Sequence, residues 1–138
     1  MKIMGFDCSS STVGWCVIEY DDAFNILNIK SGWFKPTKIG TVFEKLDFVR
    51  TKVNDLLQQH QPDQIAIEDI VKFMAGKSSA QTIITLSVFN RTIGMACYDF
   101  SGKSPDLLSV MTIRHKIKSG KTIPKKDINL IISEVTQG

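Results

Sequence analysis

The sequence predicts an α/β domain, a mixed five-stranded sheet flanked by helices. Three observations point there. The first third of the chain holds three strand-like segments with brief connections, the pattern of an antiparallel meander. Beyond residue 40, helical and strand-like segments alternate, as in sheets covered by helices. A chain of 138 residues, 43% hydrophobic and 22% charged, is ordinary for one soluble domain with its own core. Residues 1–138 are read as that single domain, since no repeat, low-complexity tract or linker divides them.

Each element has its own signal. Residues 2–7 and 14–20 read as the first two strands, separated by a Ser-rich turn. Asp21, Asp22 and Asn25 turn the chain into a third strand over 26–33. Residues 36–40 form a loop. Thr41 then has Glu44 three positions on, the capping-box spacing. Val42, Leu46, Val49, Val53, Leu56 and Leu57 keep helical spacing to about His60. After Pro62, a fourth strand covers 64–68. Ser78 or Ser79 starts a long helix over 80–100, whose apolar residues (Ile83, Ile84, Leu86, Val88, Phe89, Ile93, Met95, Ala96) cover more than one face. Such a helix is central in the core or partly used in an interface. A fifth strand is expected over 106–111, a short basic helix over 112–118 and a last helix over 124–135, with Pro124 in its first turn. Trp15, Trp33 and Phe34 are expected to pack in the core or on the sheet.

Composition narrows the partners. No apolar run approaches the ~18 residues of a membrane span, and Asp7 interrupts any signal-peptide core. Cys8, Cys16 and Cys97 have neither zinc nor disulfide spacing, so a reducing, intracellular (cytoplasmic) setting is expected. From residue 101 onward, seven basic residues face three acids, net +4, whereas the first hundred residues carry a net −1. A basic face of this kind binds phosphate backbones or is a solvated lysine-rich surface.

The chemistry centres on two acids. Asp7 ends the first strand beside the turn of Ser9, Ser10 and Ser11. Glu68 ends the fourth, after Ile65-Ala66-Ile67. A carboxylate on a rigid strand beside turn N–H groups suits a metal ion or a phosphate. Asp is also a common turn former. Glu is not, and a charge after a buried strand needs solvent or a partner. The order β-β-β-α-β-α-β-α, with acids on the first and fourth strands, is that of the ribonuclease-H-like fold.

The chain resembles the RuvC-type Holliday junction resolvases of that superfamily. The resemblance is carried by the pattern over residues 3–18, by Ile65-Ala66-Ile67-Glu68, by Phe73-Met74-Ala75 with Lys77, Ser79 and Ala80 ahead of the long helix, and by the basic segment 110–121. It implies a dimeric endonuclease that cuts four-way DNA junctions with Mg2+, which Mn2+ can replace. Asp7 and Glu68 would be metal ligands. Phe73 would insert near the crossover, and Ser10, Ser11, Lys72, Lys77, Arg114, Lys116, Lys118 and Lys121 would contact DNA. The 80–100 helix would form the dimer interface. The family completes its site with two Asp residues in a final helix, which this sequence lacks. Asp127 is the nearest substitute, although its place after Pro124-Lys125-Lys126 also suits a helix first turn. A chain truncated after Gly138 is the expectation that follows. The competing readings are a junction-binding module without activity, an actin-like ATP-binding domain, and a nuclease for another substrate such as an RNA–DNA hybrid.

Overall fold

A computed structural model of the chain describes residues 1–9, 12–36, 38–69 and 79–108. These hold strands β1 (Lys2–Cys8), β2 (Val13–Tyr20), β3 (Ile26–Phe34), β4 (Gln64–Glu68) and β5 (Asp106–Leu108), and helices α1 (Val42–His60) and α2 (Ala80–Ser101). One sheet joins the strands in the order β3-β2-β1-β4-β5. The first three form the antiparallel meander, and β4 and β5 add in parallel. The predicted mixed sheet is therefore the observed one. The expected continuation of the fifth strand to 111 and the helices over 112–118 and 124–135 lie outside the described residues.

Local chemistry sets the ends. The Ser9 hydroxyl accepts from the Thr12 N–H at 3.1 Å, and the Ser9 N–H donates to the Thr12 carbonyl at 2.9 Å, closing the first hairpin. Asp21 Oδ1 accepts from the N–H groups of Ala23 and Asn25, each at 2.9 Å. Thr41 caps α1 by accepting the Glu44 N–H at 3.2 Å, as the spacing predicted. Ser79 caps α2 in the same way through the Thr82 N–H. Gly102 ends α2 at φ 71°, a left-handed conformation that glycine adopts at little cost.

The sheet has two unlike faces. Met4, Phe6 and Cys8 of β1, Val13 and Val17 of β2, and Ile65 and Ile67 of β4 are buried on one face. Val49, Val53 and Leu57 of α1 and Phe89, Ile93, Ala96 and Cys97 of α2 cover them. Residues between these along the strands point the other way. On that opposite face β1 presents Ile3, Gly5 and Asp7, and β4 presents Gln64, Ala66 and Glu68.

Two packing expectations need correction. Val42, placed on the buried stripe of α1, is 51% exposed, because the helix's first turn projects past the sheet-covering positions that begin near Leu46. Trp33, expected to pack, is 67% exposed. It sits on edge strand β3, and its register partner Gly14 offers no side chain to pack on. Trp15 and Phe34 do pack against the core. The Trp15 ring lies over Gly32, where a Cβ would come within 2.8 Å of it.

His60, in the last turn of α1, stacks on Trp15 with ring centroids 5.2 Å apart. Its Nε2 is buried without a hydrogen bond. Burial first, then the charges of Lys30 and Lys2, push its pKa below the ordinary 6.5. The unfolded chain therefore takes up this proton before the folded one does. The stabilisation is complete above about pH 6.5 and is lost as pH falls through the folded value. Unfolding midpoints in urea should drop between pH 7.5 and 5.5, and His60→Phe should shrink that drop.

Candidate active site

The parallel ladder between β1 and β4 builds the site. It pairs Ile3 with Gln64, Met4 with Ile65, Gly5 with Ala66 and Phe6 with Ile67. One step further along this register, Asp7 stands level with Glu68. Neighbouring strands lie about 4.8 Å apart, and residues level in the ladder send their side chains to the same face. The two acids, 61 positions apart in sequence, thus share the sheet face opposite to the one that α1 and α2 cover. Asp7 is exposed and Glu68 half-buried, so solvent reaches both.

Both acids sit on fixed backbone. Asp7 is still within β1, opposite Gly14 of β2. The end of β4 is held from below by Asn90 of α2, a fully buried residue. Its Nδ2 donates to the Glu68 carbonyl at 2.9 Å, and its Oδ1 accepts from Arg91 Nη1 at 2.8 Å. Burying an amide is costly unless its polar atoms are bonded, and here both ends are. Arg91 also places its other Nη 3.7 Å from Asp69 Oδ1, close enough for charge attraction but beyond hydrogen-bond reach. The Asp69 N–H donates to the Leu108 carbonyl at 2.9 Å, extending the β4–β5 pairing past Glu68. Helix α2 and β5 thereby fix the backbone from which the Glu68 carboxylate projects.

The donor set favours hard cations. Two carboxylates offer only oxygen, the ligand type of magnesium, calcium and manganese. Cys8 points to the opposite, buried face, whereas Cys16, paired with Gly5, shares the face of the acids. Burial first, then the Asp7 charge, push Cys8 up to about 12. Cys97 is likewise raised to about 12 by burial. All three cysteines are free. Among the described residues, no group of three His, Cys, Asp or Glu forms. Asp106 shares the open face but pairs with Ala66, two positions short of Glu68.

The structure brings together Asp7 and Glu68 of the expected site. Ser10, Ser11, Lys72, Phe73, Lys77, Arg114, Lys116, Lys118, Lys121 and Asp127 lie outside the described residues. Sequence reasoning missed Asn90. The available signal was an amide within the mostly apolar run from Ile83 to Ala96.

A β3-β2-β1-β4-β5 sheet with acids at the ends of β1 and β4 defines a ribonuclease-H-like α/β domain. Comparison with known proteins refines this class. The family model for crossover junction endodeoxyribonuclease RuvC matches residues 3–103, and the chain belongs to that family. It is similar to the crossover junction endodeoxyribonuclease RuvC of Acidobacterium capsulatum, 32% identical over 85 residues, which cover 57% of this chain and 50% of that protein. The chain spans about half the length of this relative. Among solved structures, Thermus thermophilus RuvC has the same fold with a TM-score of 0.77 at 12% identity, covering 99% of this chain and 81% of that one. The yeast mitochondrial Holliday junction resolvase has a TM-score of 0.57 at 14% identity, covering 96% and 61%.

Replacing Asn90 with Leu leaves the Glu68 carbonyl and the Arg91 guanidinium without their buried partner. The expected cost is ~1–3 kcal/mol, read from urea unfolding. Arg91→Gln, at a largely exposed position, should cost much less.

Proposed function

We propose that this chain is a structure-selective endonuclease that cuts four-way DNA junctions by metal-assisted phosphodiester hydrolysis. The observation that carries the proposal is the levelling of Asp7 with Glu68 on one open sheet face, in a chain of the RuvC family. A relative of the same fold, Thermus thermophilus RuvC, is known in complex with a Holliday junction substrate (TM-score 0.77, 13% identity). Branched DNA is the proposed partner here too.

In this reading the Asp7 and Glu68 carboxylates hold Mg2+, or Mn2+ in its place. Divalent ions so held activate water and stabilise the leaving oxygen in phosphodiester hydrolysis. The residues themselves supply negative charge, rigidity and access. The β1–β4 ladder keeps the carboxylates level, and the Asn90 bond keeps the end of β4 from moving. Cys8 takes no part, because its protonated thiol is buried behind the sheet.

We further propose that the chain works as a homodimer through the α1–α2 face. Ile84, Val88, Met95 and Tyr98 form an exposed apolar stripe along α2, spaced as one helical face. A groove lined by Phe43, Leu46, Val88 and Met95 runs between the helices, with Asp47 and Arg50 at its side. An exposed apolar stripe beside an apolar groove supports the reading of an interface. Sedimentation should show a dimer, and Val88→Glu should shift it to monomer. A parent chain that stays monomeric at tens of micromolar would refute this mode.

The nuclease proposal is tested with a synthetic four-way junction and a matched linear duplex, each in magnesium and in EDTA. Paired nicks near the crossover, only in magnesium, are expected. Asp7→Asn and Glu68→Gln should each reduce cutting at least a thousandfold while junction binding is kept. Normal cutting by either variant would sink the metal-site assignment. Selective binding by the parent without nicks would mark a binding module instead.

A further inference from the structure

One row of residues crosses four strands. Glu68 of β4 and Asp7 of β1 stand level, Asp7 pairs with Gly14 of β2, and Gly14 pairs with Trp33 of β3. Directly opposed residues in a ladder send their side chains to one face. Trp33 therefore stands on the face that carries the acids, not on the one the helices cover. Two strand spacings, about 10 Å, separate its backbone from that of Asp7. Gly14 lies between them and adds no side chain to the row. The indole is 67% exposed. Lys35, just past the end of β3, holds its Nζ 5.9 Å from the ring centroid.

We propose that Trp33 and Lys35 form a strand-binding subsite for the DNA that the acids cut. The indole stacks on an unpaired nucleobase, and the Lys35 ammonium contacts a neighbouring phosphate. The inference rests on the nuclease reading above. Its geometry fits that substrate. About 10 Å is close to three nucleotide rises of 3.4 Å, so a strand crossing the acids reaches the indole within a few nucleotides of the cut. Every base has a π-face, so such a contact tolerates any sequence. A regular duplex keeps its bases stacked inside, whereas a branch point can offer one free. The subsite therefore favours branched over linear DNA. The positive lysine beside the ring also complements the negative backbone it would meet.

The test uses fluorescently labelled four-way junction and linear duplex, with binding measured by anisotropy in EDTA so that no cutting intervenes. Trp33→Leu keeps an apolar side chain on the strand and removes the π-face. Trp33→Phe keeps both. Trp33→Leu should weaken junction binding roughly fivefold to a hundredfold and duplex binding far less. Trp33→Phe should stay near the parent value. Lys35→Gln should lower the slope of log affinity against log salt by about one. Circular dichroism identifies any variant that fails to fold, and Trp33→Phe then carries the comparison through quenching. Titrating junction should quench the parent's fluorescence far more than that of Trp33→Phe, which retains only Trp15. Parent-like affinity in Trp33→Leu, an equal loss in Trp33→Leu and Trp33→Phe, or equal quenching in parent and Trp33→Phe would each overturn the subsite. A parent chain that binds no junction would bring down the nuclease reading and this inference together. A parent that binds, with Trp33→Leu unchanged, would bring down this inference alone.

Discussion

The parallel pairing of β1 with β4 is the constraint on which the site depends. A one-residue slip in that ladder would turn Glu68 to the covered face and Ile67 to the open one. It would bury a charge and expose an isoleucine that is now fully buried. The hydrophobic pattern of both strands therefore enforces the same register that makes the acids neighbours. Burial of Met4 and Phe6 beside Ile65 and Ile67 supplies the energy that holds the open face in place.

That arrangement divides labour between the two sides of one sheet. The covered side holds apolar side chains and two thiols kept protonated by burial. Its one fully buried polar side chain among the described residues, Asn90, reaches through to the backbone of the acid-bearing strand. The open side presents Asp7 and Glu68, the gap at Gly14 and the ring of Trp33. A change in the core is felt at the acids because both sides share the same strands. The link is geometric: α2 packs on β4 and bonds to the carbonyl of the residue whose carboxylate faces away from it.

Much of this was legible in the sequence because it is local. Turn residues, the Thr41 cap, the serine pair ahead of α2 and the alternating Ile65-Ala66-Ile67 run each act within a few positions, and the observed elements begin and end close to where those signals stand. The acid pair was legible as two strand-end carboxylates, although only the sheet order makes them neighbours. The misreadings were those of long-range context. An aromatic residue in a strand-like run scores as buried whether its strand is central or at the edge, and Trp33 is at the edge. Asn90 is only an amide within an apolar run until the end of β4 is placed against it. Val42 follows the helical spacing, but the first turn of α1 overhangs what the helix covers.

The separation of the two acids along the chain also shapes how the protein comes into being. β1, β2 and β3 are joined by short turns and can pair soon after they leave the ribosome. Asp7 and Glu68 are 61 positions apart, and β4 can join β1 only after α1 has been made and the long loop closed. Closing such loops costs entropy before any contact repays it, and topologies of this kind fold slowly. The early meander would carry Asp7 alone, one carboxylate with no level partner. The two acids would then become level only when β4 joins β1, so that partly folded chains present no complete acid pair.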